Sequence, residues 1–242
     1  MFLPLKDLNP RRRVPVATYT FLALNVGIFI YTSTLPAAVV QQLYMDLAVV
    51  PSMISRAPFS LESILDMVRS MFLHGGWMHL IGNMLYLFLF ADNVEDRFGL
   101  ASFVGLYFLC GFAAVASQVI INPQSTVPMV GASGAIAGVL GSYLVLYPRV
   151  KVKGVIPLGF FFFWAEWPAW VVLLLWFGLQ LLSGVASLGP EAGASGGVAF
   201  FAHIGGFLAG IVLTYALLLV VPQPASEARR ELLYQRAVRR VK

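Results

Sequence analysis

Four polar side chains in this chain sit where apolar residues dominate. Ser133 lies in Gly131-Ala132-Ser133-Gly134, and His203 in Ala202-His203-Ile204-Gly205-Gly206. His79 and Asn83 lie in the run from His74 to Asn83. A serine hydroxyl is a poor nucleophile until a base takes its proton, and neutral imidazole is the usual base. His79 and Asn83 are four residues apart, so on a helix they share one face. Both donate hydrogen bonds, which suits an oxyanion hole more than a second base. His74 falls about 140° from His79 on an ideal helix and is expected to point elsewhere, as a structural residue bonded to the outer loop. A helix that starts beside Ser133 adds unpaired N–H groups and a positive dipole end. The chemistry these residue types support is acyl transfer. Ser133 is its nucleophile, His203 its base, and His79 and Asn83 hold the oxyanion.

Such a site needs elements that bring its parts together inside an apolar medium. Of the 242 residues 59% are apolar and only 11% are charged, whereas soluble domains carry about 25% charged residues. The apolar residues form runs of the length a helix needs to cross hydrocarbon, without the alternation of a β-barrel. The pattern predicts an all-α polytopic bundle with six spans, near 15–33, 76–91, 101–121, 130–147, 169–188 and 198–221. Pro36 and Pro51, the run Asp92 to Arg97, Asn122-Pro123, Pro148, Gly189-Pro190 and Pro222 mark the turns between and after them. The first run is read as a retained helix, not a removed signal. Three segments follow: a basic N-terminus (1–14), the membrane domain (15–221) and a basic tail (222–242).

Charge gives orientation. Of sixteen Lys and Arg, fourteen fall on the side of the termini: Lys6, Arg11 to Arg13, Arg97, Arg149, Lys151, Lys153 and six from Arg229 to Lys242. Only Arg56 and Arg69 lie opposite. By the positive-inside rule both termini are cytoplasmic, in a multi-pass protein of the cell membrane. The basic tail reads as a topology determinant on anionic lipid rather than a nucleic-acid site. The outer loop between the first two spans holds an amphipathic segment, Leu61 to Phe72, suited to the membrane interface. Residues 155–168, with Phe160 to Phe163, Trp164 and Trp167, read as an interfacial aromatic stretch on the inner side.

From Ser133 to Tyr147 is fifteen residues, about 22 Å of helix, against a hydrocarbon core of about 30 Å. With Tyr147 at the inner boundary, Ser133 starts a helix roughly 8 Å below the outer one, which is tolerated only where it lines a polar cavity. His79 and Asn83 reach a comparable depth. The glycines of the fourth helix (Gly131, Gly134, Gly138, Gly141) and of the sixth (Gly205, Gly206, Gly210) let the two approach closely. That approach puts His203 within reach of Ser133.

These residues resemble the rhomboid family over roughly 15–221. The most specific motifs are the run from His74 to Asn83, Gly131-Ala132-Ser133-Gly134 and Ala202-His203-Ile204-Gly205-Gly206, with the loop Glu95 to Gly99 also family-like. The resemblance implies a Ser133–His203 dyad and oxyanion stabilisation by His79, Asn83 and backbone at the serine. It implies a water-filled cavity open outward. Its substrates would be membrane-spanning helices, of single-span or other membrane proteins, entering past the second and fifth helices. Many members carry an aromatic residue four positions after the serine, packed on the histidine. Here that position is Ala137, which leaves His203 freer or held from a neighbouring helix.

Taken singly, Ser133 reads as a packing or cap residue and His203 as an interhelical donor; their coincidence in depth with His79 and Asn83 turns both toward catalysis. Gln180 reads as packing glue in the fifth span, and Glu95 with Arg97 as a loop-fixing pair. A metalloprotease would need His-Glu-x-x-His or a comparable ligand set, and the spans hold no acidic residue, so neither metal nor cofactor is expected. A transporter would show internal repeats. The alternative of another class is a catalytically inactive relative acting as a membrane-protein chaperone or scaffold.

Overall fold

The computed structural model describes residues 2–159, 161–188 and 199–222. The chain is mostly helical, and four helices are long and apolar enough to cross a membrane: α1 (Val16–Ser33), α6 (Leu100–Ile121), α8 (Ala169–Ala186) and α9 (Phe200–Val220). Between α1 and α5 lie three short helices: α2 (Ala37–Leu47), α3 (Pro51–Ile54) and α4 (Leu61–Ser70). Helix α5 spans Trp77–Phe98 and α7, only 14 residues, spans Ser133–Leu146.

Helix α7 is the axis of the bundle. Every residue from Gly134 to Tyr143 is buried, against α5, α6, α8 and α9. Its small residues explain this position. A Cβ on Gly206 or Gly210 of α9 would fall on the carbonyl oxygens of Gly134 and Gly138, so neither tolerates a side chain. Ser142 Oγ spans the same seam, 3.0 Å from the Gly138 carbonyl and 3.2 Å from that of Gly210. Two glycines depart from the expected seam. Gly131 precedes the helix in a loop with φ +123°, and Gly205 faces Ser117 of α6 rather than α7.

The run from Asp92 to Arg97, expected as a turn, continues α5 to Phe98; Gly99, at φ +81°, then turns the chain straight into α6. The polar residues stay helical because each has a partner elsewhere. Glu95 accepts from the backbone N–H groups of Ala17 and Thr18 at 2.9 and 2.8 Å, and from Thr18 Oγ1 at 2.8 Å. It caps the orphan donors at the start of α1. Asp96 takes Arg12 and the Arg13 N–H. Arg97 donates to the carbonyls of Val221 and Pro222 just past α9. Glu95 and Arg97 are therefore not a pair; each closes the end of a different helix.

A small antiparallel sheet, ordered β1 (Leu3–Asp7), β2 (Lys151–Leu158) and β3 (Phe161–Pro168), lies at this same end. The aromatic stretch is thus a β-hairpin, and the basic N-terminus supplies its third strand, with Leu3 opposite Val155. β-branched and aromatic residues favour a pleated surface. Phe161, Phe162, Phe163 and Trp164 stay exposed, while Phe2 stacks on Trp167 at 4.7 Å. Phe160, Gly189-Pro190 and the tail from residue 223 lie outside the described residues.

Candidate active site

The site is built at the end of the bundle away from the sheet. Ser133 is the first residue of α7. His203 sits in the first turn of α9, its backbone N–H bonded to the Ala199 carbonyl. Close packing of α7 on α9 brings the two side chains together: Ser133 Oγ lies 2.7 Å from His203 Nε2. Gln180 of α8 reaches the other ring nitrogen, with Oε1 2.6 Å from Nδ1. One turn earlier, the Trp176 ring lies 6.0 Å from the imidazole, tilted by 36°. His203 is therefore held from α8. Ala137 is fully buried, and of the two arrangements expected beside it His203 takes the second, held from a neighbouring helix.

A cavity of about 910 Å³ opens on these groups, and its lining includes Ser133, His203, His79, Asn83, Trp176 and Gln180. His79 and Asn83 project from successive turns of α5 toward the loop before Ser133. A Cβ on Gly131 would lie 2.7 Å from His79 Cε1 and Nε2 and 3.7 Å from Asn83 Nδ2. Asn83 Nδ2 is buried without a protein hydrogen-bond partner among the described residues. A buried donor left open costs stability unless something else meets it, so it is a group available to a ligand oxygen or water. The first turn of α7, Ser133 to Ile136, lines the same space, and the leading N–H groups of a helix have no intrahelical partner.

The segment between α1 and α5 fixes that loop. The Gly131 N–H donates to the Ser70 carbonyl at 2.9 Å, and the Met129 N–H to the Val49 carbonyl at 2.7 Å. Tyr44 OH donates to the His74 carbonyl at 2.7 Å. His74 is thus tied to the segment between α1 and α5 through its backbone. It precedes α5 rather than lying on it, and its buried ring meets His79 edge-on at 5.1 Å instead of pointing away. Helix α4 keeps Leu61 and Ile64 exposed while Ser63 and Ser70 are buried.

The structure thus draws Ser133, His203, His79, Asn83, Gly131 and Gly134 around one cavity. Gly206 shapes the seam beneath it, and Gly205 packs away from it on α6. Sequence reasoning missed the engagement of Gln180 and Trp176 with His203. Their spacing of four residues in a helix otherwise nearly free of polar groups was the available signal.

The chain is 30% identical over 153 residues to RHOMBOID-like protein 5 of Arabidopsis thaliana, covering 63% of this chain and 44% of that one. It is 30% identical over 151 residues to Rhomboid-like protease 5 of Toxoplasma gondii, covering 62% of this chain and 16% of that one. Over 80 residues it is 36% identical to Putative rhomboid protease YdcA of Bacillus subtilis, covering 33% and 40%. The chain spans less than half the length of these relatives. The rhomboid domain itself matches residues 62–220, well over half the chain and all four of the polar side chains at the cavity, so this protein belongs to the rhomboid family.

Proposed function

We propose that this chain is a serine endopeptidase that hydrolyses a peptide bond in or near the transmembrane helix of membrane-protein substrates. One observation carries the reading: Ser133 Oγ stands 2.7 Å from His203 Nε2 at the wall of a cavity that also holds the unpaired Asn83 amide. In the reaction Ser133 Oγ attacks the scissile carbonyl while His203 Nε2 takes the hydroxyl proton. Negative charge collects on the carbonyl oxygen, where Asn83, His79 and the α7 N-terminal N–H groups meet it. His203 then protonates the departing amine, leaving an acyl-enzyme on Ser133. A water molecule, deprotonated by the same imidazole, releases the acid and restores the serine.

In this reading α1, α5, α6, α7, α8 and α9 are six spans and α2 to α4 lie in the outer interface. The sheet end faces the cytoplasm. Support comes from Lys6, Arg12, Arg13, Arg97, Lys151 and Lys153, all at the sheet end of the bundle, and from the positive-inside rule. The short α7, about 21 Å of helix, leaves Ser133 below the outer boundary with a wet cavity above it.

The test is cleavage of a single-span substrate by purified protein in detergent, with fluorophosphonate labelling in parallel. Wild type is expected to cut and to label. Ser133→Ala is expected to do neither, with its melting temperature unchanged. An alanine variant that cuts the same bond refutes the nucleophile. A folded wild type that neither cuts nor labels favours the scaffold reading.

A further inference from the structure

We infer that Gln180 is the positioning residue of His203: its side-chain carbonyl holds the imidazole in the tautomer that leaves Nε2 facing Ser133 as an acceptor. The inference rests on Ser133 and His203 being nucleophile and base. Gln180 is the one amide in α8, whose other residues are apolar or small. A primary amide in such a helix is costly unless bonded. Its Oε1 lies 2.6 Å from His203 Nδ1. A carbonyl oxygen only accepts, so Nδ1 is the protonated nitrogen. A neutral imidazole has a single N–H, and the lone pair at Nε2 then points at Ser133 Oγ, 2.7 Å away.

The opposite tautomer would place two lone pairs, on Nδ1 and Oε1, against each other. It would also spend the Nε2 proton on a hydroxyl that has to give up its own. No Asp or Glu lines the cavity among the described residues. The orienting part that a buried carboxylate plays in a Ser-His-Asp triad therefore falls here to a neutral amide. An amide fixes tautomer and ring rotation but brings no charge, so it avoids a buried carboxylate in an apolar helix. Trp176 limits the ring in the second direction, and residues 176 and 180 share one face of α8. One helix thus sets both the rotation and the proton of the base.

The experiment exploits the presence of only three histidines in the chain. Protein carrying ¹⁵N-histidine in detergent is read by NMR, with His203→Ala assigning the His203 signals. Wild type is expected to show Nδ1–H and a bare Nε2. Gln180→Met keeps length and helix propensity but loses the acceptor. It should shift the ring toward Nε2–H and lower kcat by about 10- to 100-fold, the range found for hydrogen-bond partners that orient metal-bound histidines. KM and melting temperature should hold. Gln180→Glu retains acceptor oxygens and should keep Nδ1–H and most of kcat, a rescue that a purely packing role would not give. A Gln180→Met variant with the wild-type tautomer and kcat overturns the inference, as does equal loss in the Met and Glu variants. If wild type neither cleaves nor labels, the protease reading falls, while the ring spectra still decide whether Gln180 orients His203.

Discussion

Replacing Gly131 by alanine separates two costs that the structure places on one residue. The backbone there has φ +123°, a region nearly closed to residues with a Cβ, and holding alanine in it costs about 1–3 kcal/mol. For a chain of this size that lowers the melting temperature by about 2–12 °C, at roughly 2–4 °C per kcal/mol. The added Cβ also falls 2.7 Å from His79 Cε1 and Nε2. The ring is the free end of a side chain, so it swings aside at little cost in stability. Its nitrogen then leaves the cavity wall, and losing one oxyanion donor costs about 2.7–4 kcal/mol, or roughly 10²–10³ in kcat. The assay is melting in detergent together with kcat on a single-span substrate, for Gly131→Ala in wild-type and His79→Ala backgrounds. The melting loss should appear in both. The kcat loss should appear only where His79 is present, because neighbours acting through one group are not additive. Equal kcat losses in the two backgrounds would refute the reasoning, since Gly131 would then act on the serine loop and not through His79.

Glu95→Ala strips three hydrogen bonds from the start of α1 and leaves the buried Ala17 and Thr18 N–H groups open. At about 1–3 kcal/mol per orphaned group the melting temperature should fall sharply, and by less for Glu95→Gln, which keeps an acceptor. Burial, with Asp92 nearby, pushes the Asp7 carboxyl up to about 7. The folded state therefore holds that proton more tightly than the unfolded chain, so stability should decline as pH rises from about 4 to 7 and level off above. Asp7→Asn should flatten this slope in a melting series. Ala137→Phe should lower the melting temperature, because the site is fully buried and overpacking costs about 1–3 kcal/mol or more. Cleavage at wild-type level with unchanged melting would show that space exists beside α7.

The long apolar runs placed α1, α6, α8 and α9 within a few residues because a span reports its length directly in composition. The polar run from Asp92 to Arg97 misled for a physical reason. Charge in a short stretch looks like a turn, yet each group here finds a partner far away in sequence, at α1, at the first strand or past α9. Nothing local announces such pairing. The hairpin was hidden for a similar cause. Residues 155–168 have the aromatics of a strand and of a membrane interface alike, and only their register against Leu3–Asp7 separates the two. The 3.6 period of the apolar residues from Leu61 onward marks the helix that forms as α4, Leu61–Ser70, whereas α2 and α3 carry no comparable pattern.

For the cavity, helix periodicity brought His79 and Asn83 to one face and small residues brought α7 onto α9; both rules act within or between neighbouring turns. Gln180 lay beyond them, because its partner depends on how α8 rotates against α9, and a single polar residue does not fix a rotation. The aromatic neighbour of His203 illustrates the same point. It comes from Trp176 on α8, not from position 137 on the serine helix, so the surface that holds the ring belongs to a different element. That transfer has a mechanical consequence. Helix α7 is enclosed on all sides and Ser133 is fixed with it, whereas much of α8 is exposed along Leu174, Leu175, Leu179 and Leu182. Ser133 is therefore anchored in the buried axis of the bundle. The orientation of the His203 ring depends on a helix at the periphery, where a displacement too small to unfold anything would still break the 2.6 Å contact to Nδ1.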